Sequence, residues 1–381
     1  MIVNNSTLTL SVLSVLITAN SYADITGTWQ HEWAQSTPFS EHDAQKFESV
    51  IEPEWRESIA ESDWTARIRV HIDNETKLGS FEQRASNYSS INGSLVSNSH
   101  AEIQIRELYF DGESYDQENL PDMEWRIGKQ QVVWGQADGL KVLDVVNPQS
   151  YREFILDQFE DSRIPLWMVN LTFIIGDSST LQLLWIPDTT YHELAEQGSL
   201  YEVTSPERTP LINPTPSQTV FLDATDKPSK AFKDSDFGLR YKAFWNGWDV
   251  TFNYLHSYQD LPVFYQDKTI NSIVIKPVYE RSHLIGSSVS NVFGDVTVRA
   301  EMGYQTDTFH SANTSKQDGI NHHQELSSVI GLDWQGLEDT FISLQWFRSQ
   351  LFSYSNSTIR DKTDQTVSFL VRKHFDNQVW K

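Results

Sequence analysis

Cysteine is absent from all 381 residues. Disulfide frameworks, Fe–S ligation and thiol catalysis are thereby excluded, while the compartment stays open. Positive charge is scarce: 29 Lys and Arg stand against 52 Asp and Glu, a formal net charge of −23. Nucleic acid phosphates repel such a chain, so no nucleic-acid partner is expected. The acidity serves solubility, or it sets carboxylates in loops and a lumen. There, divalent cations can bridge them to lipid phosphates.

Long apolar runs are missing as well. Beyond the first two dozen residues none approaches the ~18 that a membrane-spanning helix requires. If the chain crosses a bilayer, only a closed barrel remains, because its backbone groups pair strand to strand. The chain also lacks a P-loop, GxGxxG, HExxH or an ordered Ser/His/Asp series. No catalytic residue, cofactor or metal ligand is therefore expected.

The first residues read as an export signal. Residues 8–19 (LTLSVLSVLITA) have the length of a signal-peptide apolar core, and Ser21 and Ala23 place small residues at the cleavage positions. A mature start at Asp24 follows, with 1–23 as signal peptide. No Lys or Arg precedes the apolar core, so the amino group supplies the positive end or the true start lies upstream.

What the chain has in quantity is aromatic residues, 13 Trp, 14 Tyr and 20 Phe, set in period-two segments. Trp64, Ala66, Ile68, Val70 and Ile72 alternate with Thr65, Arg67, Arg69, His71 and Asp73. Apolar side chains on one face and polar on the other over ~10 residues describe a barrel strand, with Arg67 and Arg69 towards the lumen. Met123, Trp125 and Ile127 alternate with Glu124, Arg126 and Gly128, which adds Arg126 to the lumen face. Phe237 to Trp245 alternates into Asn246-Gly247 and out again through Trp248, Val250, Phe252 and Tyr254. Asn-Gly favours the type I′ turn of a two-residue hairpin. Further hairpins are predicted at 166–187, 284–304 and 328–346, the last with its turn at 335–337. Trp245, Trp248, Tyr304, Trp334 and Trp346 fit aromatic girdles at two membrane interfaces. A soluble β-sandwich would alternate too, but several of these strands are long and carry aromatics at both ends of one face.

Longer polar connections are predicted at 74–100, 188–235, 258–273 and 307–324. The second holds Pro206, Pro210, Pro214, Pro216 and Pro228 and cannot be a central strand. At ~20–25 residues per strand with its connection, the chain has room for roughly 14 to 16 strands. The expected fold is all-β: a transmembrane antiparallel β-barrel of that size over 24–381, with an irregular, partly helical segment inserted at 128–167 and a long loop at 188–235. A last strand at 366–375 is followed by six residues that read as a turn and the start of another strand, so the sequence reads as cut short at its C-terminus.

Residues 128–167 (GKQQVVWGQADGLKVLDVVNPQSYREFILDQFEDSRIPLW) break the repeating pattern. Asn147 is suited to cap a helix that Pro148 begins, and Tyr151, Phe154, Ile155 and Phe159 share one face of a predicted helix at 148–159. Lys129, Asp138, Asp144, Arg152, Glu153, Asp157, Asp161 and Arg163 are the candidate site residues. They are expected to form either an ionic network holding a plug against the wall or a polar constriction that selects solutes. Asp144, Arg152, Asp161 and Arg163 are expected to pair with one another. His322, His323 and Glu325 are read as solvated residues of a polar loop rather than metal ligands. Arg69 and His71 with Ser288 or Ser343 supply the parts of a hydrolase, as almost any barrel would.

The runs GKQQVVWG, DGLKVLDVVNPQ, YREFIL and FEDSRIPLW resemble the hallmark of a Gram-negative outer-membrane family defined as domain of unknown function 1302. The residues that match are Gly128, Lys129, Gln130, Trp134, Gly135, Asp138, Gly139, Asp144, Asn147, Pro148, Arg152, Glu153, Asp161, Arg163 and Pro165. The resemblance implies a β-barrel in the outer membrane and a part in moving hydrophobic or lipid-like compounds; it implies no catalytic residues. Gln136 departs from the acidic residue expected there, which weakens cation binding at that position, and the chain ends earlier than family members do. The leading functional expectation is passive passage of a small hydrophobic or amphipathic compound, in connection with an envelope transport complex. A non-transporting scaffold in an envelope complex and an outer-membrane hydrolase are the alternatives.

Overall fold

The computed structural model describes residues 15–16, 19–20 and 24–374, except 36–43, 60–61, 85–87, 116–120, 138–140 and 314–315. Most of the predicted signal peptide, Asp138 with Gly139, and the stretch after residue 374 lie outside the described residues.

One antiparallel sheet dominates the fold. Of its seventeen members three are two-residue pieces, which leaves fourteen long strands among the described residues. In chain order they are β1 (Asp24–Gln35), β2 (Ala44–Ile59), β3 (Ser62–Asp73), β4 (Ala101–Ser114), β5 (Met123–Gln130), β6 (Leu166–Ile175) and β7 (Ser179–Ile186). Then follow β8 (Asp236–Trp245), β9 (Trp248–Tyr258), β10 (Arg281–Phe293), β11 (Val296–Ser311), β12 (Ile320–Leu337), β13 (Thr340–Phe352) and β14 (Thr363–Lys373). Each strand pairs antiparallel with the next, an up-and-down meander from β1 to β14. Short turns follow β6, β8, β10 and β12. The β8–β9 turn has Asn246 at φ +49° and Gly247 at φ +87°, the two positive values that a type I′ turn demands. The connection after β12 turns at 338–339 rather than the predicted 335–337, with Asp339 at φ +53°.

Burial is inverted relative to a water-soluble sheet. On β9, Thr251, Asn253 and Leu255 are at most 3 % exposed while Phe252 between them is 57 % exposed. On β13, Ser343 and Gln345 are buried and Leu344 and Trp346 exposed. One face therefore carries an apolar band, and the other turns polar groups inward.

That inner face is rolled around the segment 131–165. Arg152 reaches Glu48 on β2 and Asp73 on β3, and Leu143 lies against Gly286 on β10 and Gly303 on β11. In a flat sheet β2 and β11 would lie about 43 Å apart at the usual strand spacing. Leu143 and Arg152 are nine residues apart, at most about 32 Å of extended chain, and the sheet curves to meet both. The sheet is the wall of this all-β fold, and the segment packed against its inner face is called the plug below.

The remaining connections correct several expectations. Strands Val263–Lys268 and Ser272–Val278 form a small sheet with Thr219–Leu222, where 258–273 and 188–235 were expected to be irregular. β11 and β12 extend into the predicted polar loop at 307–324, so His322 and His323 are strand residues on opposite faces. His322 contacts Asp307 at 2.8 Å, and His323, 1 % exposed, contacts Thr358 Oγ1 at 2.9 Å. His323 is thus buried, while His322 stays exposed to solvent beside Asp307.

Candidate functional site

The plug begins with a backbone reversal. Gly128 has φ +138°, and a Cβ there would lie 2.2 Å from the Leu108 carbonyl oxygen. Only glycine fits such a position. Beyond it Lys129 is buried and donates to the Ile105 carbonyl at 2.6 Å. Asn147 then ties the plug's two ends together: its Oδ1 accepts from the Val132 N–H at 2.7 Å and its Nδ2 donates to the Ile164 carbonyl at 3.0 Å.

No helix forms at 148–159. Ser150–Tyr151 is extended and pairs in parallel with Glu193–Leu194, and a turn at 152–155 leads to a four-residue helix, Phe159–Ser162. Tertiary contacts explain the difference. Extended pairing at 150–151 and the ion pairs of Arg152 and Glu153 hold the backbone open, and Phe154 takes φ +58°, outside helical space. Asn147 is a cross-link and not a helix cap.

The plug has two unlike sides. Towards β6–β12 it is apolar: Val132, Trp134, Val142, Leu143 and Val146 pack with Leu166, Met168, Leu184, Leu255, Leu284 and Val329 in one buried cluster. Glycines admit it, since a Cβ on Gly286 would stand 2.3 Å from Leu143 and one on Gly238 2.9 Å from Trp134. At its deepest described point the Ala137 N–H donates to Glu301 at 2.9 Å, and Arg299 donates to the Gln136 carbonyl. This side is closely packed among the described residues.

Towards β1–β4 the plug leaves a cavity of about 320 Å³. Its wall is a ladder of charges. Lys46 bridges Glu32 and Glu153, the latter at 2.7 Å. Arg152 sits at 3.0 Å from both Glu48 and Asp73, and His71 also contacts Glu48. Below them Arg69 joins Glu52 to Asp161, at 3.3 Å from the latter, and Arg67 pairs with Glu54 at 2.5 Å. Arg106 donates to the backbone carbonyls of Glu160 and Asp161 at 3.0 and 2.9 Å. Burial pushes the Glu153 carboxyl up to about 7 against the pull of Lys46, with Glu48 and Asp157 adding to the rise.

The predicted residues therefore fall into separate groups. Asp144 pairs with Arg163 at 2.7 Å, with Lys141 at 3.9 Å; burial pushes Lys141 down to about 8. Arg152 and Glu153 belong to the ladder's upper rungs and Asp161 to its lower one, so the four residues expected to pair mutually form three clusters. Asp157 lines the cavity, its carboxyl raised by burial. Arg126 faces a different cleft, paired with Asp111 at 2.5 Å. His71 faces Glu48 while Ser288 bonds to Thr251, so that pair of hydrolase parts is not assembled. Lys46, Glu48, Glu52 and Glu54 escaped the sequence reading. Their signal was present, a charged residue at every second position but one of 46–54.

Loops cover the plug from the side of the long connections. Asp188 accepts from Ser89 Oγ at 2.5 Å, Asn92 Nδ2 at 2.9 Å and the Trp167 N–H at 3.1 Å, and Asn92 also donates to the Pro165 carbonyl. His192 Nδ1 accepts from the Gln149 N–H at 2.9 Å. Burial, with Lys141 and Arg208, depresses this imidazole to about 3, and burial raises Asp260, 3.8 Å away, well above the usual carboxylate range.

None of the curated proteins compared matches the chain in sequence. Among solved structures it is similar to OmpT, an outer membrane protein of Vibrio cholerae, with 7 % identity and a TM-score of 0.36, over 93 % of this chain and 98 % of that one. It is also similar to a mutant of the ferric enterobactin receptor PfeA of Pseudomonas aeruginosa, with 11 % identity and a TM-score of 0.34, over 93 % of this chain and 51 % of that one. The model of the protein family of unknown function DUF1302 matches residues 48–363, and the chain belongs to that family.

Proposed function

We propose that this protein is an exported outer-membrane barrel, set among outer-membrane lipid and lipopolysaccharide, that lets a small amphipathic compound cross passively beside its plug. The exposed apolar faces of β9, β12 and β13 support the membrane placement, since a band of Phe, Leu, Ile and Trp outside a polar interior suits lipid and not water. The observation that carries the passage reading is the charged cavity between plug and wall. Next to it, between the cavity-lining Glu153 and Asp157, the plug exposes Phe154, Ile155 and Leu156, each more than half accessible. A polar head has the chamber and an apolar tail has this tip. A purely hydrophobic compound would meet charged side chains on most of the chamber wall, with Val50 and Ile164 its apolar members.

Planar-bilayer conductance of the refolded chain tests this reading. Discrete ohmic steps that grow when Arg152→Ala loosens the plug are expected. A folded, heat-modifiable protein that stays silent, with and without that substitution, would sink it.

The scaffold reading has one observation in its favour. Strand Thr219–Leu222 pairs on one side only among the described residues and exposes Val220, Phe221 and Leu222. An uncovered apolar edge is a template for strand addition by a partner from an envelope complex. Loss of co-purifying envelope proteins on Phe221→Lys would support it.

A further inference from the structure

We infer that the chamber between the plug and β1–β4 is a selectivity filter for small organic cations, amines foremost. This deepens the passage reading and rests on it.

Eight carboxylates and five Lys or Arg side chains line the cavity, an excess of three negative charges with His71 neutral. The balance stays negative even with Glu153 protonated and His71 charged. The pairing matters more than the sum. Every lining cation already donates to the protein: Lys46, Arg67, Arg69 and Arg152 to carboxylates, and Arg106 to two backbone carbonyls. An entering anion would compete with these contacts, and at Lys46, Arg67, Arg69 and Arg152 it would have to weaken a buried pair, which leaves a charge uncompensated. By contrast, the carboxylates of Asp157 and Glu160 make no ion pair or hydrogen bond among the described residues. Both face the cavity from the plug. An ammonium group, three donors on one compact charge, finds acceptors there without displacing anything.

The rest of the lining agrees. Thr26, Gln30, Tyr88 and Gln104 supply neutral polar atoms along the same wall, and the chain's −23 raises the concentration of cations at its surface. Rings and rows of Asp and Glu give cation preference in other pores by the same electrostatics.

The test is the reversal potential of the refolded protein in a KCl gradient across a planar bilayer, for the wild type and for Asp157→Asn with Glu160→Gln. Both substitutions remove an unpaired charge and keep the shape, so folding is expected to survive. The expected result is a K+/Cl− permeability ratio above one that falls about twofold or more in the double variant, the scale of a unit charge acting through water over several ångströms. Spermidine is expected to block the wild type more strongly than the variant. Conductance without cation preference, or with preference unchanged by the two substitutions, overturns this inference and leaves the passage reading standing. Absence of any conductance, including in Arg152→Ala, overturns both.

Discussion

Arg152 engages three carboxylates, as many as Lys46 does, two of them tying the plug to the wall. It reaches Glu48, Asp73 and Glu153, all at 3.0–3.2 Å, and is itself only 4 % exposed. Arg152→Ala leaves buried carboxylates uncompensated, a change that costs about 3–5 kcal/mol. The temperature at which the gel shift of heat-modifiability occurs should fall clearly, whereas Ile155→Ala, at an exposed tip, should leave it unmoved. His192 and Glu153 give the barrel two opposing responses to pH. A depressed imidazole binds fewer protons folded than unfolded, so its contribution is whole above ~6.5 and is lost as pH falls towards about 3. A raised carboxyl does the reverse: its contribution is whole below ~4.5 and is lost as pH rises through about 7. His192→Gln should therefore flatten the loss of stability between pH 6 and 4, and Glu153→Gln the loss between pH 5 and 8, read from urea unfolding in lipid vesicles.

The plug shows how one element is given two surfaces. Its apolar side is locked by shape, with glycines on β8, β10 and β11 admitting Trp134, Val142 and Leu143. Leu143→Ala should destabilise the fold by roughly 2–5 kcal/mol through the void it leaves, without altering ion preference. Its other side is held by ion pairs around an open chamber, and substitutions there should alter permeation first. Entry into the plug depends on Gly128. Gly128→Val adds a β-branched side chain at φ +138° against the Leu108 carbonyl. Heat-modifiable protein should be absent from refolding trials of this variant.

Across the described strands apolar groups point out, and the inner face is polar except where Leu166, Met168, Leu184, Leu255, Leu284 and Val329 meet the plug. Much of this was legible in the residues. The alternation of Trp64–Asp73 and the Asn246-Gly247 turn identify strands because a strand's two faces differ at every step and a I′ turn needs two positive φ values. The segment 128–167 was legible as an insertion because it breaks that period. Its internal form was not. Tyr151, Phe154 and Ile155 have helical spacing, yet the chain there is extended or turned, because Glu193–Leu194 and the charges on β2 and β3 compete for the same backbone and side chains.

The sequence by itself determined the class of object: an antiparallel barrel with apolar residues outward, interrupted by one irregular segment. Local period and turn chemistry suffice for that. Only the tertiary structure decided which charges meet. Glu48 is 104 positions from Arg152 and Lys46 is 107 from Glu153, and no spacing rule links residues across such distances. Rolling the sheet brings strands far apart in the chain onto one plug. The chamber and its surplus carboxylates exist only once the sheet curls around that segment.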